Sequence, residues 1–107
     1  MAKRKPRRAA VDGKSSDARW KLHLYVAGQT PRSVAAIENL ERICREHLAN
    51  RYEVVIIDLL KNPRLARDHQ ILAVPTLVRQ IPQPGRKIIG DLSNVERVLV
   101  GLEIRPA

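Results

Sequence analysis

Between Trp20 and Ile57 the apolar residues change period twice, and those changes leave few folds open. Trp20, Leu22, Leu24 and Val26 alternate with Lys21, His23 and Tyr25, the two-residue period of a β-strand, which ends at Gly28. Thr30-Pro31 then supplies a cap residue and a proline suited to the first helical position. Behind it Val34, Ile37, Leu40, Cys44 and Leu48 recur every three or four residues, which predicts a helix running to about Leu48 with these side chains inward. Val54-Val55-Ile56-Ile57 is an unbroken β-branched run, the pattern of a strand buried on both faces. Strand, helix and strand in this order make a parallel pair joined by a crossover helix.

The rest of the chain extends that unit. Asn62-Pro63 repeats the cap-then-proline signal and predicts a short helix ending near Gln70. A strand is predicted over Ala73–Val78, a turn at Pro82, Pro84 and Gly85, and a short strand over Arg86–Ile89 closed by Gly90-Asp91. Ser93 with Glu96 three residues on matches a capping box, and the helix it opens turns Val95, Val98, Leu99 and Leu102 inward. The order βαβαββα is the α/β, thioredoxin-like arrangement. Pro75 falls where that fold places a cis proline, before its third strand. X–Pro bonds are the only common cis peptides, and the sequence is compatible with either isomer.

A chain of 107 residues fits one domain. With no Phe, one Trp and two Tyr, its core must be built from Leu, Ile and Val. No apolar run approaches the ~18 residues of a membrane span, and the basic N-terminus lacks an apolar signal region, so a cytoplasmic location is expected. Residues 1–19 carry seven Lys or Arg against Asp12 and Asp17, while residues 20–107 carry thirteen against nine. The first segment has no apolar period and reads as a disordered basic arm ahead of a domain at 20–107. A solubilising tail is the simpler role; an electrostatic grip on nucleic acid or an acidic partner is the alternative. No aromatic residue is interleaved for base stacking, which counts against nucleic acid as the main partner.

Cys44 is the only cysteine, so no internal disulfide, CxxC pair or cysteine-rich metal site can form. His23, His47 and His69 lack metal-ligand spacing, and no metal or cofactor is expected. Thioredoxin-like oxidoreductases hold CxxC between the first strand and first helix; here that loop reads Ala27-Gly28-Gln29-Thr30-Pro31. Thiol exchange needs an exposed, low-pKa thiolate and a resolving partner, and neither is present. Cys44, on the apolar stripe, reads as core. Asp58 reads as a strand terminator that caps the following turn. The expectation is a protein that is not an enzyme.

Four segments carry a family resemblance: Lys21–Ser33 (KLHLYVAGQTPRS), Ile57–Ala66 (IDLLKNPRLA), Ile71–Leu77 (ILAVPTL) and Ile88–Asn94 (IIGDLSN). Together, in this order and over about residues 20–105, they resemble the KaiB family of circadian clock proteins. The resemblance implies a non-catalytic regulator with two folds. One is a ground-state homo-oligomer, a tetramer or dimer, whose C-terminal half is refolded to give the order βαββααβ along the chain. The other is a thioredoxin-like monomer that binds the ATPase/kinase KaiC, modulates its phosphorylation cycle, sequesters KaiA and displaces a sensor histidine kinase.

The same resemblance assigns residues. Gly101 and Glu103 match the Gly-Leu-Asp that biases the balance between the folds; the alternative for Gly101 is a plain helix C-cap. Replacing Gly101 by Ala and Glu103 by Arg is expected to favour the helix-ended, thioredoxin-like form, through helix propensity and the helix dipole. Glu53, Val54, Val55, Lys61 and Arg64 fall on the expected partner-binding surface, although Glu53-Val54-Val55 stands where the family has Ala-Leu-Lys. Gln83 interrupts the family's proline run, and a basic arm is added, so the chain reads as a divergent member. Rival functions are a stress-signalling adaptor of a KaiC-like ATPase and, with less support, a basic nucleic-acid-binding protein.

Overall fold

In the computed structural model, which describes residues 20–49 and 51–104, seven elements follow the predicted order: β1 (Trp20–Val26), α1 (Pro31–His47), β2 (Tyr52–Asp58), α2 (Arg64–Asp68), β3 (Thr76–Ile81), β4 (Arg86–Ile89) and α3 (Val95–Leu102). The reading of residues 1–19 as an arm lies outside the described residues. The four strands form one sheet in the order β2-β1-β3-β4, with β1 parallel to β2 and the remaining neighbours antiparallel. The parallel pair needs a crossover, and α1 supplies it.

One face of the sheet carries the core. Leu22, Leu24 and Val26 of β1, Leu77 of β3 and Ile88 of β4 pack against Ala36, Leu40, Ile43 and Cys44 of α1 and Val98 and Leu102 of α3. The opposite face is covered only in part, by α2 and the segment after it, which bury Tyr25 and Ile71. Tyr25 belongs to the polar half of the alternation in β1. A short apolar-poor helix can still bury it because its hydroxyl finds a partner there.

Several local expectations are corrected by the packing. The run Val54–Ile57 is not a strand buried on both faces: β2 is an edge strand, and Val55 and Ile56 remain 37% and 42% exposed. The inner stripe of α1 is rotated from the one predicted, burying Ser33, Ala36, Leu40, Ile43 and Cys44 while Val34 stays exposed. Ser33 can enter the core because its hydroxyl accepts from the Ala27 N–H (3.1 Å) and the Thr30 hydroxyl (2.9 Å). The strand predicted from Ala73 starts at Thr76 and runs to Ile81. Asn62 does not cap α2 through its side chain; Pro63 is the cap residue, and the Asn62 carbonyl accepts from Leu65 N–H (3.1 Å). The α3 cap is Asn94, whose side chain accepts from Arg97 N–H (3.1 Å), in place of the Ser93–Glu96 box, because Ser93 N–H is taken by the Asp91 carboxylate (3.0 Å).

Candidate functional site

The loop between β1 and α1 is tied down by short-range polar bonds. Gly28 has φ +61°, where glycine is favoured, and a Cβ there would come within 2.9 Å of Leu60 Cδ1. Its N–H donates to Asp58 Oδ1 (3.0 Å), which also accepts from Leu60 N–H (2.9 Å). Asp58 therefore ends β2, caps the next turn and anchors the β1–α1 loop. The Val74–Pro75 peptide beside this corner is cis, and the Pro75 carbonyl accepts from Gly90 N–H (2.9 Å). No thiol lies here. Cys44 is fully buried, and that burial, with the charge of Glu41, pushes its thiol pKa up to about 12. A thiol so placed supplies almost no thiolate for exchange.

The residues assigned to partner binding spread along one edge of the sheet. Val55 lies exposed on the sheet face away from the core, level with His23, and Glu53 pairs with Lys21 at 4.0 Å. Val54 points the other way and packs half-buried against the core. Lys61 and Arg64 are exposed beyond the far end of β2, in the turn that Asp58 holds and at the start of α2. Glu53 and the Lys61–Arg64 pair thus stand at opposite ends of a seven-residue strand roughly 20 Å long. The structure brings Lys61 and Arg64 together, but not with Glu53.

Gly101 and Glu103 sit at the other side of the sheet, where α3 packs on β4. A Cβ at Gly101 would meet Ile88 Cδ1 at 2.8 Å and Cγ1 at 3.1 Å, so this position is small because α3 lies close to a core isoleucine. Glu103 is the C-cap of α3 with φ +61°, and its N–H bonds the Leu99 and Val100 carbonyls. Its carboxylate accepts from Arg86 (2.9 Å) and lies 3.4 Å from Arg79. Replacing Glu103 by Arg would set a third guanidinium beside these two. The dipole gain expected from the sequence is therefore opposed, in this fold, by lost ion pairs and like-charge repulsion.

Two clusters had no signal in the sequence. Arg79 shares the inward face of β3 with Leu77, a position that calls for an apolar side chain, yet it is a cation only 2% exposed, bonded to carbonyls at both ends of the C-terminal segment. On the other face the Tyr25 hydroxyl bonds His69 Nδ1 (2.6 Å), with both imidazole rings edge-on to the phenol. Burial lowers the pKa of His23; His69 and Lys21 add to the effect and Glu53 opposes it. Among the described residues no group of three or more His, Cys, Asp or Glu could hold a metal ion, and no helix is long and apolar enough to cross a membrane.

Comparison with known proteins follows the same lines. The KaiB domain profile matches residues 23–104. The chain is 49% identical over 85 residues to circadian clock protein KaiB3 of Synechocystis, covering 79% of this chain and 83% of that one. It is 53% identical over 83 residues to the circadian clock oscillator protein KaiB of Microcystis aeruginosa, covering 78% and 80%. Among solved structures, the N-terminal domain of Synechococcus elongatus SasA superposes with a TM-score of 0.64 at 18% identity, covering 80% of this chain and 85% of that one. Chloroplastic thioredoxin z superposes with a TM-score of 0.65 at 23% identity, covering 83% and 81%. These two likenesses establish the thioredoxin-like fold.

Proposed function

The chain belongs to the KaiB family, and from that premise we propose that it is a non-catalytic clock regulator that binds a KaiC-type ATPase/kinase in its thioredoxin-like form and modulates the phosphorylation cycle. The observation that carries this reading is the Ala27–Pro31 loop: it occupies the redox position of the fold, holds no thiol, and is pinned through the Ala27 and Gly28 N–H groups and the Thr30 hydroxyl to Ser33 and Asp58. A thioredoxin fold so disarmed retains its surfaces and loses its chemistry. The exposed Lys61–Arg64 turn at the end of the open β2 edge is the contact surface we assign, with Val55 contributing apolar area. KaiA or a histidine-kinase pathway is the further partner, and a second fold built around Gly101 and Glu103 sets how much of the chain is competent to bind. Apparent affinity then scales with the fraction in the thioredoxin-like form.

The test is light scattering and co-purification with the KaiC-type ATPase of the same cell, using the wild type and Lys61→Glu/Arg64→Glu. Binding by the wild type, weakened at least about tenfold by a double charge reversal at a complementary interface, supports the assignment. Equal binding by both proteins removes Lys61 and Arg64 from the interface. No binding in any phosphorylation state of the ATPase overturns the function.

A further inference from the structure

Arg79 is the least solvated cation among the described residues, and its surroundings come from four separate parts of the chain. On β3 it faces the helices, directly across from Arg86 of β4. One terminal nitrogen donates to the Leu102 carbonyl at the end of α3 and lies 3.4 Å from Glu103 Oε1. The other donates to the Pro84 carbonyl in the β3–β4 turn at 2.6 Å. The guanidinium carbon sits 5.7 Å from the centre of the Trp20 ring, and Nε has no partner. A guanidinium stays charged at any physiological pH, so its burial is tolerated only while those acceptors surround it. Two of them, the Leu102 carbonyl and the Glu103 carboxylate, belong to the segment that follows β4.

From this arrangement we infer that Arg79 is the latch of the C-terminal segment: undocking α3 and withdrawing Arg79 from the core are one event. α3 has only eight residues, too few to persist as a helix without tertiary support. If it leaves, the Leu102 carbonyl and Glu103 go with it, and a charged side chain is stranded against Trp20 and Leu77. Arg79 must then turn outward, which frees the Pro84 carbonyl and loosens the β3–β4 turn. If Arg79 is displaced first, the last carbonyls of α3 lose their donor and Glu103 keeps only Arg86. The coupling makes release of α3 and loosening of the β3–β4 turn a single all-or-none event. Lysine cannot replace arginine here, because one ammonium cannot span the Pro84 and Leu102 carbonyls as a planar fork does. What the released segment becomes, a second fold or an unfolded tail, rests on the switch proposed above. The latch itself does not.

The experiment is native-state hydrogen exchange on the full chain for the wild type, Arg79→Lys and the milder Glu103→Gln, with mass by light scattering and secondary structure by circular dichroism. The latch predicts that amides of α3 and of the β3–β4 turn exchange faster together in Arg79→Lys, by at least about tenfold, the effect of losing one charge-assisted hydrogen bond. Amides of β1 and α1 should stay within a small factor of wild type. Glu103→Gln should accelerate the same two regions by less. If Arg79→Lys does not fold, the same pattern in Glu103→Gln carries the test alone. Uniform acceleration across all elements would mean an ordinary structural arginine, and unchanged exchange in α3 would mean no latch; either result overturns the inference. Selective loosening without any change in mass or secondary structure upholds the latch and counts against a second fold.

Discussion

The Gly101→Ala substitution separates local propensity from packing, and the structure reverses its simplest expectation. In the penultimate position of α3, alanine improves on glycine by about 0.8–1 kcal/mol. The new methyl, however, would lie 2.8 Å from Ile88 Cδ1 and 3.1 Å from its Cγ1, inside the core. Overpacking of this kind costs about 1–3 kcal/mol unless the neighbour yields. The single variant should therefore be neutral or destabilised by up to about 2 kcal/mol. Ile88→Val removes the nearer atom and alone costs about 0.5–1.5 kcal/mol. In the Ile88→Val background, Gly101→Ala should recover most of its helix gain, so the two changes couple favourably by about 1–2 kcal/mol. Urea unfolding followed by circular dichroism on the four proteins of this cycle measures the term directly. A coupling below about 0.5 kcal/mol is within ordinary additivity and would refute the claim that Ile88 is what keeps this position small.

Three further outcomes are expected. Cys44, with its thiol pushed up to about 12 by burial, should be alkylated at pH 8 on the order of a thousandfold more slowly in the native protein than in urea, and the protein should not reduce insulin; labelling within tenfold of the unfolded rate would show the thiol to be accessible. His23 has its pKa lowered by burial, so the folded state disfavours its charged form: the His23 contribution should be complete above the ordinary value of 6.5 and be lost as pH falls below it through the folded value, and His23→Gln should flatten that part of the urea-midpoint profile. Ala49 follows α1 with φ +52° in an exposed position, so Ala49→Gly should stabilise by about 1 kcal/mol, read as a higher thermal midpoint; a loss of stability would mean that the left-handed cap is absent in solution.

Element type and order could be read along the chain because they depend on near neighbours. The alternation from Trp20, the Thr30-Pro31 cap and the inward side chains of α3 report local periods and local hydrogen bonds, and the structure agrees with them. The absent redox pair at Ala27–Pro31 was equally legible, since it requires only knowing which residues follow a strand. What tertiary structure alone decided is which faces end up dry. Val54–Ile57 has the composition of a central strand, but strand order puts β2 at the edge and leaves Val55 and Ile56 partly in water. Tyr25 occupies the polar half of its alternation and is nonetheless buried, and Arg79 places a charge on the core-facing half beside Leu77; partners 44 and 23 residues away take the tyrosine hydroxyl and one terminal guanidinium nitrogen. A hydrogen bond at that separation leaves no periodic trace in the sequence. Gly101 completes the contrast: its smallness is visible in the sequence, but the isoleucine that demands it stands on another element, thirteen residues earlier in the chain.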